Sequence, residues 1–121
     1  MKQAAVIILK NNKGEVLLLN RKSPPFGYGL PGGKIEKNES IKDGCLRELK
    51  EETGITLKKD EVYFKDFTSS DDEVFMIYIF SSDVIIDQSS VKITSEHSDY
   101  IFTKDFNSIK LAGKTLKFIK L

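Results

Sequence analysis

Three glutamates crowd the end of one short helix, and few folds give such an arrangement a reason to exist. Residues 33–55 read GKIEKNESIKDGCLRELKEETGI. Ser40 with Asp43 reads as an N-cap and Gly54 suits the position just past the C-cap, which places the helix at about 41–53. At ~3.6 residues per turn, Glu48, Glu51 and Glu52 fall within roughly a quarter to a third of the circumference. They sit where the macrodipole is already negative, so repulsion of a few tenths of a kcal/mol per pair adds to a dipole penalty. A divalent, oxygen-seeking cation turns that crowding into a binding site. Taken alone, the same residues equally make a solvated acidic face, with Arg47 pairing Glu51 four positions on.

The flanks decide between the two. Pro31-Gly32-Gly33 is a tight turn that exposes its backbone. The whole stretch fits Gly-x5-Glu-x7-Arg-Glu-aliphatic-x-Glu-Glu-x-Gly-aliphatic, with Gly33, Glu39, Arg47, Glu48, Leu49, Glu51, Glu52, Gly54 and Ile55 in every specified position. Seven fixed residues at about 5–7% usage each make a chance match on the order of one in a billion per start position. This is the Nudix box, and the chain resembles a small MutT-like Nudix hydrolase.

The resemblance implies an α/β fold of the Nudix type, an α/β/α sandwich with a mixed β-sheet between the Nudix-box helix and a C-terminal helix. It also implies hydrolysis of nucleoside diphosphates linked to a further moiety, with Mg2+ or Mn2+ as cofactor. Carried over by position, Glu48, Glu51 and Glu52 are the metal carboxylates, Glu52 foremost, and the Gly32 carbonyl is a further ligand. Arg47 orients the glutamates, with Glu39 as its ion-pair partner. The general base is either a glutamate of the box or Glu96, which lies in SEHSDY where MutT-like proteins carry a loop acid and which is also a candidate ligand. Arg21 and Lys22 match positions that touch substrate phosphates. Phe26 and Tyr28 are aromatic residues of a proline-glycine loop that could stack on a base or cover the core. His97 reads as a surface histidine.

The rest of the chain bounds these expectations. At 121 residues it reads as one domain, residues 1–121. A net charge of +1 gives no global field toward nucleic acid or membrane, and no basic, aromatic-interleaved patch points to long RNA. The single cysteine, Cys45, shares a helix face with Ile41 and Leu49 and reads as a core thiol. The apolar run Ala4 to Leu9 is too short for a signal peptide or a span, so cytoplasmic residence is the expectation. The partner is a small nucleotide, and the chain itself a monomer or homodimer. No marker of ADP-ribose or coenzyme A specificity is present, which favours nucleoside triphosphates released as monophosphate and pyrophosphate. Dinucleoside polyphosphates, RNA 5' ends and a non-catalytic nucleotide sensor are the alternatives.

For the remaining elements, residues 3–9 and 15–21 read as a hairpin around Asn11-Asn12-Lys13-Gly14. Residues 23–29 read as a loop and 30–36 as a glycine turn with a short strand. Strands follow at 61–68 and 73–81, the second apolar on both faces and therefore central. Short strands are expected at 92–94 and 100–103, and a helix near 113–120.

Overall fold

The computed structural model describes residues 2–113. Among the described residues, seven strands and one α-helix stand in the order β1 (Lys2–Lys10), β2 (Val16–Arg21), β3 (Gly27–Gly29), β4 (Gly32–Lys34), α1 (Ile41–Thr53), β5 (Tyr63–Ser69), β6 (Phe75–Ile85) and β7 (His97–Thr103). The strands form one mixed sheet in the order β3-β2-β1-β6-β5, with β4 added to β1 and β7 to β2. β1 runs parallel to β6 from Lys2↔Phe75 onward. Its other edge is divided between two antiparallel partners, β4 at Ala4 to Val6 and β2 at Lys10.

Alternation explains why β1, β2 and β6 are apolar at nearly every position. Ala5, Ile7, Leu9, Leu17, Leu19 and Phe80 join Cys45 and Leu49 of α1 in one buried cluster. Ile8, Val16, Leu18 and Ile79 form a second cluster with Leu30. Successive side chains point to opposite faces, so a strand with core on both faces cannot spare polar positions. The central placement expected for β6 holds, and the strand continues to Ile85, past the expected end.

The hairpin turn is tied by Asn11, whose Oδ1 accepts from the N–H groups of Lys13 and Glu15, each at 3.0 Å. Helix α1 has the expected bounds. Ser40 Oγ accepts from the Asp43 N–H at 3.1 Å, and Gly54 closes the helix in the left-handed region at φ 75°.

Two expectations are corrected. The loop at 23–29 contains β3, because Gly27 to Gly29 pairs with Leu19 to Arg21. Pro24 and Pro25 lack N–H donors of their own, and the pairing begins beyond them at Gly27. Of the strands expected at 92–94 and 100–103 the second alone forms, as part of β7, which begins at His97 and pairs along the whole of β2. Residues 92–94 are irregular, so the polar tract Ser95–Asp99 is not a separating loop but supplies the start of the strand. The helix expected near 113–120 falls, beyond Gly113, outside the described residues.

Gly32 fixes how the site sits on this frame. At φ +150° it faces the backbone of β1, and a Cβ there would lie 2.0 Å from the Ala5 carbonyl oxygen and 2.6 Å from Val6 Cα. Backbone cannot swing aside as a side-chain end can. Gly32→Ala is therefore expected to destabilise the protein by about 3 kcal/mol or more, read as a lowered urea midpoint with unchanged m.

Candidate functional site

Helix α1 delivers four charged side chains to the edge where β4 meets β1. Arg47 is their hub. Its Nε and Nη2 donate to Glu39 at 3.0 and 2.8 Å, Nη1 donates to Glu48 at 3.0 Å and Glu51 at 3.1 Å, and Nη2 reaches the Lys34 carbonyl at 3.1 Å. The Glu39–Arg47 pair expected from the box is thus a two-point clamp. It holds the Glu39 carboxyl below its ordinary pKa, and Glu39 more than any other neighbour keeps the guanidinium protonated. Two glycines make the room. A Cβ on Gly33 would strike the Glu48 carboxyl carbon at 2.6 Å, and one on Gly44 would meet Ile35 Cδ1 at 2.5 Å and Glu39 Oε1 at 2.8 Å. Glu48 is half-buried, and that burial raises its pKa against the opposing pull of Arg47.

Glu52 turns the other way. It continues the stripe of Cys45 and Leu49 into the interior, and its side chain is only 6% exposed. Oε1 accepts from the Gly32 N–H at 2.8 Å. Oε2 faces Nε2 of His97 at 3.8 Å, too far for a hydrogen bond. Burial pushes the Glu52 pKa up to about 8, with Glu48 and Glu96 adding repulsion while Gly32 and Arg21 oppose it. An ionised Glu52 therefore needs a cation. The donors around it are carboxylates, the oxygen ligands that hard divalent ions take, so these residues fit Mg2+ or Mn2+. Among the described residues no three His, Cys, Asp or Glu side chains converge at metal-holding distances, since Arg47 holds Glu48 and Glu51 while Gly32 holds Glu52.

The remaining candidates divide. Arg21 stands opposite His97 across β2 and β7 and acts electrostatically on Glu52. Its guanidinium rests on the Ser23 and Pro24 carbonyls at 3.4 and 3.3 Å. Glu96 is close enough to raise both Glu48 and Glu52, and its carbonyl accepts from the Lys22 N–H at 3.2 Å. The side chain of Lys22 is exposed, as is Phe26 at 52%. Tyr28 instead donates its hydroxyl to Asp99 at 2.8 Å, a residue that sequence reasoning missed.

His97 requires a correction. It is buried, not a surface histidine, because β7 starts on it and its first side chain points inward against Glu52. Burial, with Arg21 nearby, holds the imidazole below its ordinary pKa. Cys45 lies under the same helix face, fully buried, with its thiol pushed up to about 12 by burial. That is a core thiol and a poor nucleophile. Among the described residues no helix is long and apolar enough to cross a membrane.

Comparison with known proteins identifies the family. The profile of the NUDIX domain matches residues 1–114. The chain is 31% identical over 121 residues to the nucleoside triphosphatase NudI of Escherichia coli O139:H28, a match covering 86% of this chain and 84% of that protein. It is 46% identical over 54 residues to an ADP-ribose pyrophosphatase of Methanocaldococcus jannaschii, which covers 43% of this chain and spans only 31% of that relative's length. The crystal structure of the MutT protein from Methanosarcina mazei Go1 superposes with a TM-score of 0.65 at 32% identity, over 84% of this chain and 75% of that one. With the box filled at every position, the sheet and helix arranged as that box implies and the profile matched along nearly the whole length, the chain belongs to the Nudix family.

Proposed function

We propose that this protein is a divalent-metal-dependent hydrolase of nucleoside diphosphate-linked substrates, foremost a nucleoside triphosphate pyrophosphohydrolase that releases a nucleoside monophosphate and pyrophosphate. The observation that carries this reading is Glu52, a carboxyl group placed on the core face of α1 with one oxygen anchored by Gly32 and an ionised form that burial disfavours. Such a group is costly unless a cation completes it. Glu48, Glu51 and Glu52, with the Gly32 carbonyl and Glu96, are the groups that would hold the ion. When bound, the metal offsets charge on phosphate oxygens and lowers the pKa of its water.

The chain's own residues do the rest. Arg47 takes one oxygen of Glu48 and one of Glu51 and so sets their direction. Arg21 and Lys22 complement the polyphosphate. A water attacks phosphorus, the anhydride P–O bond breaks toward the leaving phosphate, and the proton passes to a carboxylate, Glu96 or a glutamate of the box. Phe26 and Tyr28 are the candidates to stack on the base.

The similarity to an ADP-ribose pyrophosphatase across 54 residues supports a second reading, in which the leaving group is ribose phosphate. One assay separates the cases. Nucleoside and deoxynucleoside triphosphates, oxidised forms included, a dinucleoside tetraphosphate and ADP-ribose are incubated with Mg2+, and products are resolved by ion-exchange chromatography. The expected result is monophosphate plus pyrophosphate from a triphosphate, with nothing released in EDTA. Faster turnover of ADP-ribose would favour the second reading. Tight binding without product across the panel would make the protein a nucleotide sensor.

A further inference from the structure

Away from the glutamates, three strands lose their common register at one place. β6 pairs with β1 at Ile8↔Ser81 and next at Lys10↔Ile85, so residues 82–84 of β6 bulge away from β1. On the other side Tyr63↔Ser81 and Phe64↔Phe80 are followed by Asp66↔Ile79, which leaves Lys65 as an extra residue on β5. Bulges re-aim side chains, and these two border a hollow of about 190 Å³. Lys10, Tyr63, Lys65, Ser81, Ser82 and Asp83 supply its polar lining.

The polar groups there are mostly donors. Ser81 and Ser82 are 7% and 6% exposed and follow directly on the apolar run of β6. Serine is no strand former by preference, so packing alone does not favour two in succession at this point. Ser82 Oγ accepts from the Val84 N–H at 3.2 Å, which leaves its own hydrogen to donate. Asp83 is the one acid of the lining, and the Tyr63 hydroxyl donates to its Oδ1 at 3.1 Å. Among the described residues, Lys10 and Lys65 have neither an ion pair nor a side-chain hydrogen bond. Two ammonium groups and two hydroxyls therefore share the hollow with a single tethered carboxylate. Such a set suits an anion with several acceptor oxygens. A whole nucleotide needs more room, since pockets for ligands of that size begin at roughly 300 Å³.

We propose that this hollow binds a small phosphate-type oxyanion, inorganic phosphate or pyrophosphate, through Lys10, Lys65 and the hydroxyls of Ser81 and Ser82. It shares no residue with the glutamate site, takes its anion without a metal ion and does not depend on the activity proposed above.

Two-dimensional 1H–15N NMR of the full chain in EDTA provides the test. Inorganic pyrophosphate, then phosphate, is titrated at an ionic strength held constant with chloride. The expected result is saturable movement of the Lys65, Ser81, Ser82 and Val84 amides. Lys10→Gln and Lys65→Gln are each expected to weaken binding roughly tenfold. AMP carries the same group on a larger body and is expected to leave these amides in place. Movement that never saturates, or that is confined to Arg21, Lys22 and Gly32, would overturn the proposal. Unchanged affinity in both variants would overturn it too, and an equal saturable response to AMP would overturn the restriction to a free anion. The wild-type titration needs no substitution and so stands however well the variants fold.

Discussion

Glu52→Gln is expected to abolish turnover, by roughly a thousandfold or more, which corresponds to about 4 kcal/mol of lost transition-state stabilisation. The change is nearly isosteric. A glutamine carbonyl can still accept from the Gly32 N–H, so the contact that orients the side chain at 2.8 Å survives. What disappears is the negative charge, and with it the group best placed to hold a cation at the centre of the site. Steady-state rates on the best substrate of the panel, beside calorimetric titration of Mg2+, provide the measurement. The fold is checked by circular dichroism. Full activity in this variant would remove Glu52 from the proposed machinery.

The same substitution is expected to make the metal-free protein more stable at alkaline pH. In the folded chain Glu52 titrates at about 8, against an ordinary value of 4.5. Below the lower value the group is protonated folded or unfolded, and its favourable contribution is fully present. Between the two, the unfolded chain gives up its proton while the folded chain retains it, so stability falls as pH rises. Above about pH 8 the loss is complete. Its size is a few kcal/mol, with about 5 kcal/mol as a ceiling. Glu48, also raised by burial, adds to the same slope. Glu39, lowered by Arg47, contributes stability that is lost only on acidification and so does not act in this window. Urea midpoints of wild type and Glu52→Gln in EDTA, from about pH 5 to about pH 9, are expected to converge at the acid end and diverge at the alkaline end. Parallel profiles would show that the buried carboxyl carries no such penalty.

How far the sequence reaches depends on whether the deciding interaction is local. Helix α1 was legible to the residue because its signals, Ser40, Asp43 and Gly54, act within one turn of each end. The Arg47–Glu39 clamp was legible only through the box, since the partners are eight positions apart and meet across the helix N-terminus. The burial of Glu52 left a trace that could have been read. It stands seven positions after Cys45 and three after Leu49, on the stripe that faces the core. β3 and β7 were obscured for a different reason. Gly27–Gly29 and His97–Asp99 have weak strand character of their own and are held by pairing with β2, which lies far back in the chain from His97. His97 followed the same logic, because a polar neighbourhood in the chain says little about which face a strand's first residue occupies. Tyr28 and Asp99, 71 residues apart, meet only through that pairing.

The geometry at Gly32 ties strand alignment to charge. One residue both nests against Ala5 and supplies the N–H that Glu52 needs. A slip of β4 that put Pro31 at this place along β1 would bring a ring where only hydrogen fits and would leave an acid in the interior without its donor, since proline has no N–H. Mispaired chains are thus penalised twice for a single error. Alignment of the sheet and anchoring of the candidate site's buried carboxylate thus rest on the same residue.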